Sequence, residues 1–178
     1  MGFRILRISS LVLAIVSILV VGILYFYKFP KEVDVVLPAV SFIENDSSSI
    51  NRLSIHVQGT LYRPVFRQHT FQGKVLMDSY NFSKENSTLL IITKRQNGVN
   101  MGALHYQATS KPFDFVASSM IWFDDDFELI NIWGDWNKNE VKNESFFIVT
   151  ASSYEQAIAV QKKLREKFGS DDWFVPKA

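Results

Sequence analysis

The chain has 178 residues, enough for about one domain. Its 19 Lys and Arg against 18 Asp and Glu leave a net charge of +1, which removes the electrostatic case for a dedicated nucleic-acid binder. With no cysteine, disulfide scaffolds, thiolate metal sites and cysteine nucleophiles are excluded, and 47% hydrophobic residues exclude a disordered polypeptide.

Ile8 to Tyr27 carries no charge. A helix of that length covers roughly 30 Å, the hydrocarbon thickness of a bilayer. Residues 1–7 then form a short cytoplasmic tail and 8–27 a transmembrane helix whose expected partner is the lipid bilayer. Tyr25 and Tyr27 stand at headgroup level, and Pro30 stops the helix. A cleaved leader needs a shorter apolar core and small residues at the cut, whereas Tyr25 to Phe29 is bulky. A myristoylation start at Met1-Gly2 fails because Leu6 stands where Ser or Thr is wanted. Arg4 and Arg7 balance Lys28 and Lys31, so orientation falls to the free α-amino group and the short tail. Both favour a single-pass protein of the cell membrane with a cytoplasmic N-terminus and the remaining domain outside.

Residues 28–49 read as a juxtamembrane segment and 50–178 as an extracytoplasmic β-rich domain. Val33 to Phe42 is apolar and β-branched, and Pro38 suits it to an edge strand or an extended lead-in. Residues 44–49 read as a polar turn or flexible loop. Beyond residue 32 acidic side chains slightly outnumber basic ones, so the domain as a whole has no pull toward anionic lipid or nucleic acid.

From Leu53 the alternation is clean: Leu53, Ile55, Val57, Gly59 and Leu61 share one face. Phe71, Gly73, Val75 and Met77 repeat it. Pairing these runs antiparallel with Leu61 opposite Phe71 sets Gly59 against Gly73, Val57 against Val75 and Ile55 against Met77. The glycine pair leaves room for a bend or a covering aromatic ring. A second hairpin joins Leu89–Thr93 to Ala103–Gln107 through Asn97-Gly98, a type I′ turn pair. A third joins Met120–Phe123 to Phe127–Trp133 across Asp124–Asp126, and Ser145–Thr150 is a last strand. A C-terminal helix over 153–168 opens with a Ser152/Glu155 capping box, lines Ala157, Val160, Leu164 and Phe168 along one face, and stops at Gly169. The expected fold class is α+β: a transmembrane helix, then an antiparallel β-meander with one helix packed on the sheet.

The anchor, Ser54–Gly59, Phe71–Val75 and the closing strand and helix with Ser153–Ala157 resemble small membrane-anchored proteins of Gram-positive bacteria. The resemblance implies a cell-membrane setting with the domain outside. No activity comes with it.

The candidate chemistry is sparse. His56, His69 and His105 show no metal-ligand spacing, and read as two strand residues and a loop residue. Asp124, Asp125, Asp126 and Glu128 gather carboxylates, but without the alternating ligands and glycine of a calcium loop they read as a solvated hairpin tip. Arg63, Arg67 and His69, with Arg52 and Lys74 nearby in sequence, suit an anion or lipid headgroup, or simply a solvated loop. Trp122, Phe123, Phe127, Trp133 and Trp136 are expected mostly as core between sheet and helix, and Trp173-Phe174 docks on the domain or dips into the membrane. The sequons at Asn45, Asn81, Asn86 and Asn143 matter only in a glycosylating secretory pathway.

There is no G-x-S-x-G elbow, phosphate-cradling glycine loop or S-x-x-K pair. No catalytic, cofactor-binding or metal-ligating residue is therefore assigned, and no cofactor or nucleic-acid partner is expected. The function expected is a non-catalytic extracytoplasmic domain that binds a protein partner or ligand at the membrane. The alternatives are a cell-envelope enzyme acting on lipid or wall polymer, and an accessory regulatory subunit of another membrane protein.

Overall fold

A computed structural model describes residues 2–44, 46–109, 114–134 and 146–169, with side chains of the first helix described from Leu11 onward. Helix α1 spans Gly2–Phe26. It is followed by β1 (Pro30–Ile43), β2 (Asp46–Tyr62), β3 (Thr70–Met77), the short α2 (Asn81–Glu85), β4 (Ser87–Gln96) and β5 (Val99–Gln107). Then come β6 (Phe115–Asp124), β7 (Ile130–Gly134), β8 (Phe146–Val149) and α3 (Tyr154–Phe168).

The eight strands form one antiparallel sheet in the order β3-β2-β1-β8-β7-β6-β5-β4. The ladder between first and last strands turns an up-and-down meander into a nearly closed barrel. Its one break falls between β3 and β4, where α2 interrupts the chain. Side chains bridge that seam: Thr88 Oγ1 accepts from the Val75 amide at 3.3 Å, and the Tyr106 hydroxyl donates to the Val75 carbonyl at 2.7 Å. Burial holds the Tyr106 phenol far above its ordinary pKa, so it remains a donor.

Alternation explains the barrel. Ile55, Val57, Leu61, Val75, Leu104, Ile121, Ile132 and Ile148 all turn inward to one core. An eight-stranded barrel is just wide enough for such side chains to fill it. Outward residues divide by what covers them. Val40, Phe42, Phe147 and Val149, and separately Val99, Met101 and Trp122, lie beneath α3. Elsewhere the outer face mixes polar residues such as Asp34 and His56 with exposed apolar ones such as Val36, Leu89 and Ile91.

The first hairpin adopts the register that alternation predicts, with Leu61 opposite Phe71, Gly59 opposite Gly73 and Ile55 opposite Met77. The backbones approach so closely that a Cβ on Gly73 would sit 2.2 Å from the Gln58 carbonyl oxygen. The covering ring is that of Phe71, whose tip lies 2.8 Å from the same Cβ position. Asn97 and Gly98 take φ of 49° and 79°, the positive pair a type I′ turn requires.

Several expectations are corrected. Residues 28–49 are not a spacer before the domain, because β1 is paired along its length with β2 and through Val40–Ile43 with β8. Nor is β1 an edge strand. Pro38 is tolerated because β8 pairs only from Val40 onward, leaving no β8 partner at position 38. The helix cap falls one residue later than the Ser152/Glu155 reading: Ser153 accepts from the Gln156 amide, and Gln156 reaches back to the Ser152 amide. Buried Gln161 joins the stripe of Ala157, Leu164 and Phe168, and Val160 lies at its margin. Phe123 and Phe127 lie inside the barrel rather than between sheet and helix, whereas Trp122 and Trp133 do face α3. Trp136, Trp173, Phe174, Asn45 and Asn143 lie outside the described residues.

Helix α1 exposes Leu11, Leu13, Ile18, Val21 and Phe26 on all its sides. Among the described residues no helix is long and apolar enough to cross a membrane, so the structure adds no support to a span at 8–27. After Tyr27 the chain turns sharply at Phe29, whose φ is 44°, and enters β1.

Candidate functional site at the open end of the barrel

The two ends of the barrel are built differently. Helix α2 and Tyr80 close one. At the other, where α1 enters, the β2–β3 and β6–β7 loops leave a cleft of about 420 Å³ lined by Phe29, Arg63, Pro64, Val65, His69, Arg95 and Asp125.

The acidic hairpin tip is the keystone, and it is solvated only in part: Asp126 and Glu128 face water while Asp125 is largely covered. Each aspartate has separate work. Asp124 Oδ1 accepts from the amides of Glu128 and Leu129 at 2.8 and 3.2 Å, which folds the loop back on itself. That turn puts Phe127 at a φ of 58° and drives its ring into the core, 4.4 Å from Phe123 and 5.2 Å from Phe71. Asp126 pairs with Lys31. Asp125 turns into the cleft, where Arg95 grips it with two nitrogens at 3.3 and 2.6 Å. Asn100 Nδ2 donates to the same carboxylate at 2.8 Å. Burial opposes ionisation of Asp125, yet the bonds from Arg95 and Asn100 outweigh it and hold its carboxyl below the usual range.

His69 stands behind this pair and is 9% exposed. Its Nδ1 lies 3.8 Å from Asp125 Oδ1, beyond hydrogen-bond reach. Burial lowers the His69 pKa, the charges of Arg95 and Arg63 lower it further, and Asp125 and the Asn100 side chain only partly oppose them. The imidazole is therefore neutral at pH 7. Among the described residues eight buried polar atoms lack a hydrogen-bond partner; Arg63 Nε, His69 Nδ1 and Asn100 Oδ1 lie at this end, and the others belong to Trp122, Asn131, Trp133 and Arg165. Such a group costs about 1–3 kcal/mol when nothing satisfies it. Asn100 lies behind the cleft, whose own lining presents Arg63, His69, Arg95 and Asp125 to a small polar ligand.

The structure thus brings Arg63, His69 and Asp125 together and disperses the other candidates. Arg67 lies on the same loop but turns to α1, donating to the Tyr25 carbonyl at 3.2 Å. Arg52 borders a separate groove beside the start of α3, and Lys74 sits mid-strand opposite Gln58. His56 pairs with Asp34 at 2.8 Å on the outer wall, and His105 meets Ser118 at 2.8 Å and stacks on Phe115. Among the described residues no three His, Asp or Glu gather as a metal-holding group.

Sequence reading missed Arg95 and Asn100. Asn100 carried a signal, since it occupies an inward slot of β5 in phase with Leu104 and Tyr106. A polar side chain there demands a buried partner. Asn131 gave no such signal, because it alternates with the inward Ile130 and Ile132 and faces α3, where Gln161 donates to it at 3.0 Å. Arg95 gave none, because its partner lies 30 residues away across two strands. No protein-family model, curated protein or solved structure matches the chain.

Proposed function

We propose that the protein is a membrane-attached binding domain that presents the open end of its barrel to a ligand or partner at the membrane surface. The observation that carries this reading is position: the cleft with its orphaned polar atoms lies where α1 meets the barrel. Helix α1 exposes an uncharged apolar surface over Leu11–Phe26, and the sequence extends that stretch back to Ile8. A single-pass anchor with the barrel outside the cell is the arrangement the sequence favours, and bilayer contact through residues 8–27 is part of the proposal.

Binding is favoured over catalysis by the lining residues. Arg63 and Arg95 offer guanidinium groups to an anion, Phe29, Pro64 and Val65 offer an apolar wall, and no hydroxyl or thiol stands among them. The cell-envelope enzyme reading draws on His69, a neutral imidazole beside a carboxylate, which is the pairing a general base uses.

Photocrosslinking in intact membranes, from a probe at Val65, tests the proposal. A defined adduct that disappears with Arg95→Ala is expected, along with loss of the domain on protease shaving of intact cells. A probe that crosslinks only to the chain itself, or a domain that survives shaving, overturns it. Turnover of envelope lipid or polymer that is lost in His69→Gln decides for the enzyme.

A further inference from the structure

We infer that the β2–β3 loop, residues 63–69, is a second membrane contact that dips into the leaflet from which α1 emerges. This inference rests on the membrane-attached reading and deepens it by naming what the open end touches: the phosphates and upper acyl chains of anionic phospholipid.

The loop and the end of α1 are held at one level by three contacts. The Arg63 amide donates to the Lys28 carbonyl at 2.7 Å. Arg67 donates to the Tyr25 carbonyl and lies 5.6 Å from the centre of the Tyr25 ring. The Lys28 ammonium lies 5.5 Å from the centre of the Tyr62 ring. A bilayer surface that meets Tyr25 therefore meets the loop as well.

The loop carries the chemistry of such a surface. At its tip Val65 and Phe66 are 55% and 59% exposed, an expense in water that packing among the described residues leaves unrelieved. Pro64 stiffens the approach. Arg63 and Arg67 flank the tip, with Lys28 behind, so apolar residues project beyond a basic collar, while Tyr25 and Tyr27 supply aromatic rings at the same level. Apolar tip, basic collar and aromatic belt is the order met on crossing from acyl chains through headgroups to water. The domain's slight overall negative charge keeps the rest of the barrel off an anionic surface, leaving this end as the one that approaches it.

The absence of cysteine from the chain makes the test direct, because single cysteines at Phe66, Ile18 and Val36 can carry an environment-sensitive fluorophore in the full-length protein. Val36 is exposed on the outer wall of β1, roughly 20 Å of strand above Pro30. Each variant is reconstituted into vesicles of phosphatidylcholine alone or mixed equally with phosphatidylglycerol. The expected result is a blue shift at Phe66, larger with phosphatidylglycerol, and quenching by lipids brominated near the headgroup. Ile18 is quenched by lipids labelled deeper, and Val36 stays in water. Adding Val65→Glu abolishes the Phe66 shift and leaves that of Ile18, with an unchanged circular dichroism spectrum. If Ile18 reports lipid while Phe66 reports water on both vesicles, the loop contact is overturned and the anchor stands, as it would were the tip a docking site for another protein. Lipid at Phe66 with water at Ile18 keeps the loop contact and overturns the anchor. Water at both overturns both.

Discussion

The two ends of the barrel solve the same problem in opposite ways. At the closed end the buried hydroxyl of the plug is fully used. The Ser83 hydroxyl, fully buried, accepts from the Met77 amide at 2.9 Å and donates toward the carbonyls of Met77 and Tyr80. Asp78 accepts from the Ser54 amide, Lys84 reaches the Asp78 carbonyl, and Asn86 caps Phe82. Phe82 seats its ring 5.0 Å from Tyr106, and Tyr80 lies parallel to Phe146. At the open end the floor is equally well packed by Phe127, but the wall above it retains unpaired donors and acceptors. A protein tolerates that cost where something other than its own chain completes the bonding. One end is sealed by packing; the other is left chemically unfinished.

The largest effect should come from removing the floor of the open end. Phe127→Ala empties space between Phe123 and Phe71 and should cost about 3–5 kcal/mol in a urea titration. A loss below about 1 kcal/mol would mean that the floor is loose and the ends are less different than they look. Next comes the plug. Ser83→Ala leaves the buried Met77 amide without an acceptor and should destabilise by about 1–3 kcal/mol.

Acid should separate the ends more finely. His69 has a folded-state pKa below its ordinary 6.5, so the unfolded chain takes up a proton first as pH falls. Its contribution to stability is complete above pH 6.5 and is lost as pH drops from there through the folded value. His69→Gln should flatten that part of the curve. Asp125, also depressed, contributes above its usual 3.8 and is lost as acid carries the solution through its lower folded value, and Asp125→Asn should remove that step. Denaturation midpoints measured across pH in the two variants would check both signs. The smallest effect is expected from the wall. Arg63→Ala removes an orphaned nitrogen along with a charge and should leave stability unchanged or raise it by up to about 1 kcal/mol. A loss would make Arg63 structural and weaken the contrast between the ends.

Much of this fold was legible wherever a pattern repeated along the chain. The register of the first hairpin followed from Leu61, Gly59, Val57 and Ile55, because a slip by one residue would turn every apolar side chain outward. The Asn97-Gly98 turn and the α3 stripe were legible for the same local reason, although Gln161 showed that a polar residue can belong to a buried stripe once Asn131 answers it. The cleft was legible only in part. Arg63 and His69 stood out as a basic loop, but the three aspartates looked like a wet hairpin tip, since nothing nearby in sequence announces Arg95, Asn100 and Lys31 as their partners.

The sequence by itself determined most of the strands, the faces of the first hairpin, the closing helix and a long uncharged segment at the start, since these depend on the spacing of apolar residues within a short window; residues 46–49, which open β2, lack that spacing and read as a turn or loop. Only the tertiary structure decided that β1 is interior, that the meander closes on itself through β8, and that Arg63, His69, Arg95 and Asp125 share one cleft with Asn100 bonded behind it. Closure is a condition on the two ends of the chain at once, and no local window contains it.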